Sequence, residues 1–424
     1  MKDNGTKFCN IDNLHNENGT ERNFVRPLLP GLTFTNDLTK TKSKIEEETV
    51  DKGKLALDLT KALRKQGFTI SHGSLIFDAS SKKKVRELHS IAVNHLLEKN
   101  RSFIEKYDEK FTKTYVADGG DVVPQEIEPR LITVDDGEKS IIFKWVKLHW
   151  SIPVSSGYGR RLRYLVEDDH TRKIIGIIGL GDPVYALKDR DNFIGWTHEV
   201  KSRKLKHVMD AFVLGSIPPY NMIMGGKLVA SLISSREVYR DFKKKYGGKK
   251  SLIREELFDG KLAGITTTSA LGKSSVYDRI KIPDGSQFYH VGWTSGSGDF
   301  QFLNGHYDDL TKLIRQQSYT GKNVKWGTGI RSRRVVVRKS LSLLGLSSRF
   351  LYHGVRREVF FVPHGKNWKG FLCGETTRLN PYNLPVLEIS EYVKGRWMFP
   401  RAERDKTYSK FKAESYSLLH PHVC

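Results

Sequence analysis

The stretch Lys173-Ile174-Ile175-Gly176-Ile177-Ile178-Gly179-Leu180 constrains this chain more than any other. It is almost continuously apolar over the length of one strand, and Gly181-Asp182-Pro183 ends it. A strand without polar alternation has both faces covered, so a sheet with packed layers on either side is expected around it. Short β-rich runs at 131–134, 141–146 and 162–166 precede it. Another strand, 208–217, follows an insertion at 188–206. With 38% hydrophobic and 11% aromatic residues the chain has enough apolar material for real cores, and 424 residues correspond to two or three domains.

The strand at 208–217 breaks at Pro218-Pro219 and leads through Tyr220-Asn221-Met222-Ile223-Met224-Gly225-Gly226-Lys227-Leu228 into a helical pattern at 229–246. Leu228, Leu232, Val238 and Phe242 are its core positions, and Gly247-Gly248 closes it. A strand at 262–268, a short helix around 274–280 and a strand at 287–294 come next. A strand that bends into a glycine-rich helix N-terminus can hold a phosphate, because free backbone N–H groups and the positive dipole end face the anion. Asn221, Gly225, Gly226 and Lys227 stand there and are the candidate cofactor-binding residues. The paired glycines equally allow close helix–sheet packing. The segment is not a P-loop, which needs Gly where Asn221 stands and Ser or Thr where Leu228 stands. With no Walker motif, the chain is not itself an ATPase or helicase.

Upstream, residues 1–45 read as a polar, flexible arm rich in Asn, Thr and Lys. Residues 46–119 read as helical, with Leu55, Leu57, Leu59 and Leu63 as a mixed apolar face of one helix and Val85, Leu88, Ile91, Ala92 and Leu96 in a second spanning 82–107.

Charge narrows the partner. There are 71 Lys and Arg against 48 Asp and Glu, a net +23. Residues 311–424 carry 22 Lys and Arg against 7 Asp and Glu, a surplus of 15. An excess of this size points to a polyanion, DNA or RNA. Arg331, Arg333, Arg334, Arg338, Lys339, Arg356 and Arg357 are the candidate nucleic-acid contacts, interleaved with Trp326, Phe350, Tyr352 and Trp368. Basic and aromatic residues together suit phosphate contact and base stacking; they also suit a β-rich subdomain with its aromatics inside. No run of 18 apolar residues, lipidation signal or basic amphipathic helix points to a membrane. Cys9, Cys373 and Cys424 form no CxxC pair, and residues 1–30 have no apolar signal-peptide core, so a reducing, cytoplasmic setting is expected.

Other chemistries are weaker. The 14 histidines form no HExxH, H-x-E or His–Cys–Cys pattern, and no metal site is assigned. Asp182, Asp189 and Asp191 follow a strand, as nuclease metal ligands often do, but Asp182-Pro183 equally reads as a turn and Arg190 offers an ion pair.

The element order from 160 to 294 resembles the fold of the Gcn-related N-acetyltransferases. That resemblance implies a coenzyme A thioester at the glycine bend and a tyrosine general acid, matched in place by Tyr277; a packed helix tyrosine is the alternative. The segments 157–166 (GYGRRLRYLV), 176–183 (GIIGLGDP), 190–196 (RDNFIGW) and 214–228 (LGSIPPYNMIMGGKL), with the stretch around Tyr277, resemble the DruA family. This second resemblance implies a component of the Druantia anti-phage defence system that works with partner subunits, a helicase-like protein among them.

The expected architecture is α+β: a flexible arm at 1–45, a helical region at 46–119, an acyltransferase-like mixed sheet at 120–305 and a basic β-rich region at 306–424. The expected function is anti-phage defence through nucleic acid. An acyltransferase-like enzyme acting on nucleic acid or protein and a non-catalytic scaffold are the alternatives; the catalytic candidates are Tyr277, from the acyltransferase resemblance, and Asp182, from the carboxylates after the strand.

Overall fold

The structure, a computed structural model, describes residues 50–419 except 136, 156, 158, 251–255, 284, 304 and 319–332. The arm at 1–45, Arg331 and Trp326 lie outside the described residues.

Helix α1 (Lys52–Lys65) begins where the Asp51 carboxylate accepts the Lys54 N–H at 3.0 Å. Strands β1 (Thr69–Ser71) and β2 (Ser74–Ile76) form a small hairpin. The single helix expected at 82–107 is two, α2 (Lys82–Lys99) and α3 (Arg101–Tyr115). Asn100 separates them, its side-chain amide donating to the Leu96 carbonyl at 2.7 Å. Strand β3 (Pro129–Thr133) is followed by helix α4 (Glu138–Leu148), which replaces the strand expected at 141–146. Its buried Ile142, Phe143, Trp145 and Val146 recur at helical spacing and pack on Phe111 and the sheet. An apolar run that short does not separate strand from helix by periodicity.

Strands β4 (Arg161–Asp168) and β5 (Lys173–Gly181) lead to α5 (Lys188–Ile194), α6 (His198–Lys204) and strand β6 (Val208–Ser216). After the cis Pro218–Pro219 bond come α7 (Gly225–Leu232) and α8 (Arg236–Tyr246). The helix expected at 229–246 is split because Ser235 caps a new one, accepting the Val238 N–H at 3.4 Å. Strands β7 (Gly264–Thr268) and β8 (Tyr289–Trp293) precede α9 (His306–Ser318), α10 (Arg333–Leu343), β9 (Glu358–Pro363), α11 (Trp368–Cys373), α12 (Val386–Val393) and α13 (Phe399–Arg404). The short helix expected around 274–280 is absent. The Ser274 hydroxyl accepts the Val276 and Tyr277 N–H groups there, a local bonding that competes with helix.

The main sheet has seven strands in the order β3-β4-β5-β6-β7-β9-β8. Every neighbouring pair is antiparallel except β6 and β7. As the apolar run required, β5 is covered on both faces: Ile175, Ile178 and Leu180 face the core shared with α7, α8 and α12, while Ile174 and Ile177 face α3 and α4.

The C-terminal region is not β-rich. Among its described residues β9 is the one named strand and the rest is helical or irregular. Its apolar residues, Val336, Val337 and Leu341 among them, are spaced for helix burial. Moreover, β9 is an inner strand, between β7 and β8, so the sheet crosses the expected boundary at 305. A second core likewise unites α1 and α2 with α9 and α10. Among the described residues no helix is long and apolar enough to cross a membrane.

Candidate functional site

The parallel pairing of β6 with β7 runs from Val208↔Gly264 to Ala211↔Thr267 and stops. Strand β6 continues to Ser216, still paired with Gly176 of β5, whereas β7 ends at Thr268. The two strands part beyond Ala211, and a cavity of about 280 Å³ lies between residues 211–214 and 268–270. Trp150, Phe212, Tyr277, Asp182, Asp210 and Arg357 line it.

Asp210 sits where the strands part, and the Thr266 hydroxyl donates to its Oδ1 at 2.7 Å. Burial raises its carboxyl to about 6, against the opposing pull of the Thr266 hydrogen bond and of Arg190. A carboxyl poised there can take or give a proton near neutral pH. Buried Tyr277 packs edge-on to Phe360 and stacked with Phe288. Burial pushes its phenol up to about 12, a hydrogen bond with Thr267 pulls down, and Asp210 pushes up. The phenol therefore stays protonated and can donate. The two catalytic candidates, Tyr277 and Asp182, do line one cavity, but Asp182 is committed. It accepts from Arg160 Nε at 2.6 Å and the Arg160 N–H at 3.1 Å. Arg160 also donates to the Lys206 carbonyl at 2.7 Å, so this pair ties the 159–160 turn to the start of β6.

The three aspartates weighed as metal ligands do not converge. Asp189 accepts the Trp293 N–H at 2.6 Å, and Asp191 pairs with Arg190 at 2.6 Å and Lys201 at 3.0 Å. Among the described residues no three His, Cys, Asp or Glu side chains gather to hold a metal ion.

At the glycine bend, Met224 takes φ +69° and α7 starts at Gly225. A Cβ on Gly225 would lie 2.6 Å from the Tyr220 carbonyl oxygen, so the close turn requires glycine. Asn221 is exposed, while Gly225 and Lys227 are buried. Lys227 points inward. Its Nζ donates to the Val276 and Asp278 carbonyls at 2.8 and 2.7 Å and lies over the Trp397 ring. Burial lowers its ammonium to about 8, with Asp278 opposing. The lysine straps residues 276–278 to α7, and a Cβ on Gly226 would lie 3.6 Å from Val276.

A larger cleft of about 970 Å³ adjoins the cavity, sharing Pro153, Val154, Ser155, Gly157, Thr268 and Arg357 with it. Lys99, Lys144, Lys147, Arg333 and Arg357 contribute positive charge to its wall. Lys99 is paired with Asp308 at 2.8 Å and Arg333 with Asp299 at 3.7 Å. Lys144 and Lys147 have no acidic partner among the described residues; burial first, then Arg163 and Lys144, pulls the Lys147 ammonium down. Arg357 enters from the start of β9, where its N–H donates to Thr294 Oγ1 at 3.0 Å. Its Nη2 reaches His89 Nε2 at 3.4 Å, and its buried Nε has no partner. Burial and the Arg357 charge hold His89 and His353 down at about 3, so both are neutral.

Two of the seven basic candidates, Arg333 and Arg357, line the cleft. Arg334 donates to Ser297 Oγ at 3.2 Å. Arg338, Lys339 and Arg356 are exposed, the last over the Trp293 ring. Sequence reasoning missed Asp210, His89, His353, Lys99, Lys144 and Lys147. A signal existed for Asp210: a lone carboxylate inside Val208-Met209-Asp210-Ala211-Phe212-Val213, where an unpaired charge is costly.

A family model, Druantia protein DruA, matches residues 79–374. A Druantia protein DruA of Escherichia coli (strain UMEA 4076-1) is 38% identical over 367 residues, which covers 85% of this chain and 90% of that protein. No solved structure matches.

Proposed function

The chain belongs to the DruA family, and on that premise we propose that it is a component of a bacterial anti-phage defence system that engages nucleic acid. It acts in the cytoplasm beside other subunits of that system, a helicase-like protein among them. The observation that carries the nucleic-acid reading is the basic cleft. Lys144 and Lys147 face it without acidic partners, and their charges oppose one another. A compact fold retains such crowding at a cost that a polyanion removes.

The test is the salt dependence of binding. The logarithm of affinity should fall linearly with the logarithm of salt concentration, and Lys144→Glu with Lys147→Glu should shallow the slope by about 0.7–0.9 for each phosphate that is no longer neutralised. A slope unchanged by the double variant would place binding elsewhere. A flat salt response would remove the nucleic-acid reading altogether.

One observation favours a second reading, an acyltransferase-like enzyme. The parallel strands β6 and β7 part around a cavity, and the glycine bend into α7 follows β6 directly. Asp210 and Tyr277 would then be the acid–base pair, with a coenzyme A thioester near the bend. The inward course of Lys227 leaves Gly225 and Gly226 as the phosphate-facing candidates in that reading.

A further inference from the structure

We propose that Arg357 binds a phosphate at the neck between the cleft and the cavity, and that one nucleotide of a single strand seats there with its base inside the cavity. The inference rests on the nucleic-acid reading and names the form of nucleic acid that the site takes. Three observations carry it.

The first is the orphaned charge. Arg357 has no carboxylate partner among the described residues, and its Nε is buried with no acceptor. A desolvated guanidinium without an anion is costly, and its planar fork of donors matches a phosphate. The second is the company it keeps. Because Arg357 donates to His89 Nε2, the proton of neutral His89 sits on Nδ1, which is also buried and unpartnered. Arg357 lines both the cleft and the cavity and His89 lines the cleft, so the two residues that carry unpartnered donors meet on the cleft side of the neck. The third is size and lining. A cavity of about 280 Å³ holds one heterocycle and excludes a duplex. Trp150, Phe212 and Tyr277 give it aromatic walls, and Asp210 offers a hydrogen-bonding group to the polar edge of a base. Aromatic walls beside a cationic groove are how single strands are held without sequence preference. An extruded base costs least when the strand is already unpaired.

The experiment measures the affinity of the full chain by fluorescence anisotropy for a labelled 12-nucleotide single strand, the same strand with abasic sites, its duplex, and a nucleoside monophosphate as competitor. The wild type is expected to bind the intact strand at least tenfold more tightly than the abasic one. Arg357→Gln should abolish that preference, bringing the intact strand to the affinity of the abasic one, and should weaken duplex binding by a smaller factor. Arg357→Lys, which keeps the charge but not the fork, should also weaken binding of the intact strand about tenfold. Thermal melts establish that each variant is folded, and Arg357→Lys carries the comparison if Arg357→Gln is not. Equal binding of intact and abasic strands by the wild type overturns the inference and leaves the nucleic-acid reading standing. So does an Arg357→Lys variant that binds like the wild type. Binding of the monophosphate with no binding of any strand overturns both.

Discussion

Asp210 and the neutral histidines carry their character from burial rather than from their neighbours in the chain. The Asp210 carboxyl titrates near 6 in the folded protein against an ordinary value of 3.8. Between those values the folded state holds a proton that the unfolded state has released. Asp210 therefore costs stability progressively as pH rises through that window, and the full cost is present above it. Asparagine does not titrate. The stability of Asp210→Asn relative to wild type should thus grow from pH 4 to pH 7 and level off, by at most about 3 kcal/mol at 1.36 kcal/mol per unit. Urea unfolding at each pH measures it. A difference independent of pH would show that Asp210 is solvated in the folded state.

At the scale of elements, the parting of β6 from β7 is what opens a cavity within the sheet. It follows from pairing register: β6 has partners on its β5 side to Ser216, but β7 stops at Thr268. The glycine bend then sets α7 beside the opening. If the acyltransferase-like reading holds, acetyl-coenzyme A binds the folded state and raises the melting temperature, by the equivalent of about 2.7 kcal/mol at a hundredfold excess over Kd. Gly226→Glu should remove that rise, because its side chain would grow into the space beside Ser216 and Val276. The absence of any rise at saturating coenzyme would end the enzymatic reading and leave the nucleic-acid reading untouched. Elsewhere, buried Asp108 accepts Trp145 Nε1 at 2.7 Å and the Leu418 N–H at 2.8 Å, which docks the C-terminal segment on α3 and α4.

At the scale of the whole molecule, four buried histidines among the described residues stay neutral: His89 and His353 at about 3, His207 and His364 at about 4. Burial is the first cause in each. Unfolding lets them take up protons at an ordinary 6.5, so stability is intact above that value and declines as pH falls toward the folded values. Each can cost about 1.4 kcal/mol per pH unit in that range. The melting temperature should therefore drop between pH 6.5 and 5, and His364→Gln should drop less steeply than wild type. A melting temperature constant over that range would mean the histidines are protonated in place.

Local pattern and chemical type were legible from the chain alone. The run Ile174–Leu180 dictated a doubly covered strand, and the Gly225-Gly226 bend dictated a strand-to-helix turn. These follow from side-chain polarity and backbone freedom, which are properties of residues and short windows. Strands β8 and β9 show the limit: one was read and the other missed, and only sheet order placed β9 between β7 and β8. The basic residues show it too, because composition located them near the C-terminus while packing chose Arg333 and Arg357 for the cleft and added Lys99, Lys144 and Lys147 from α2 and α4. The cavity itself was invisible, since Trp150, Asp210, Tyr277 and Arg357 are far apart in sequence. Tertiary structure alone decided which of the basic residues share one cleft and which of them are buried, because both depend on packing between segments far apart in the chain.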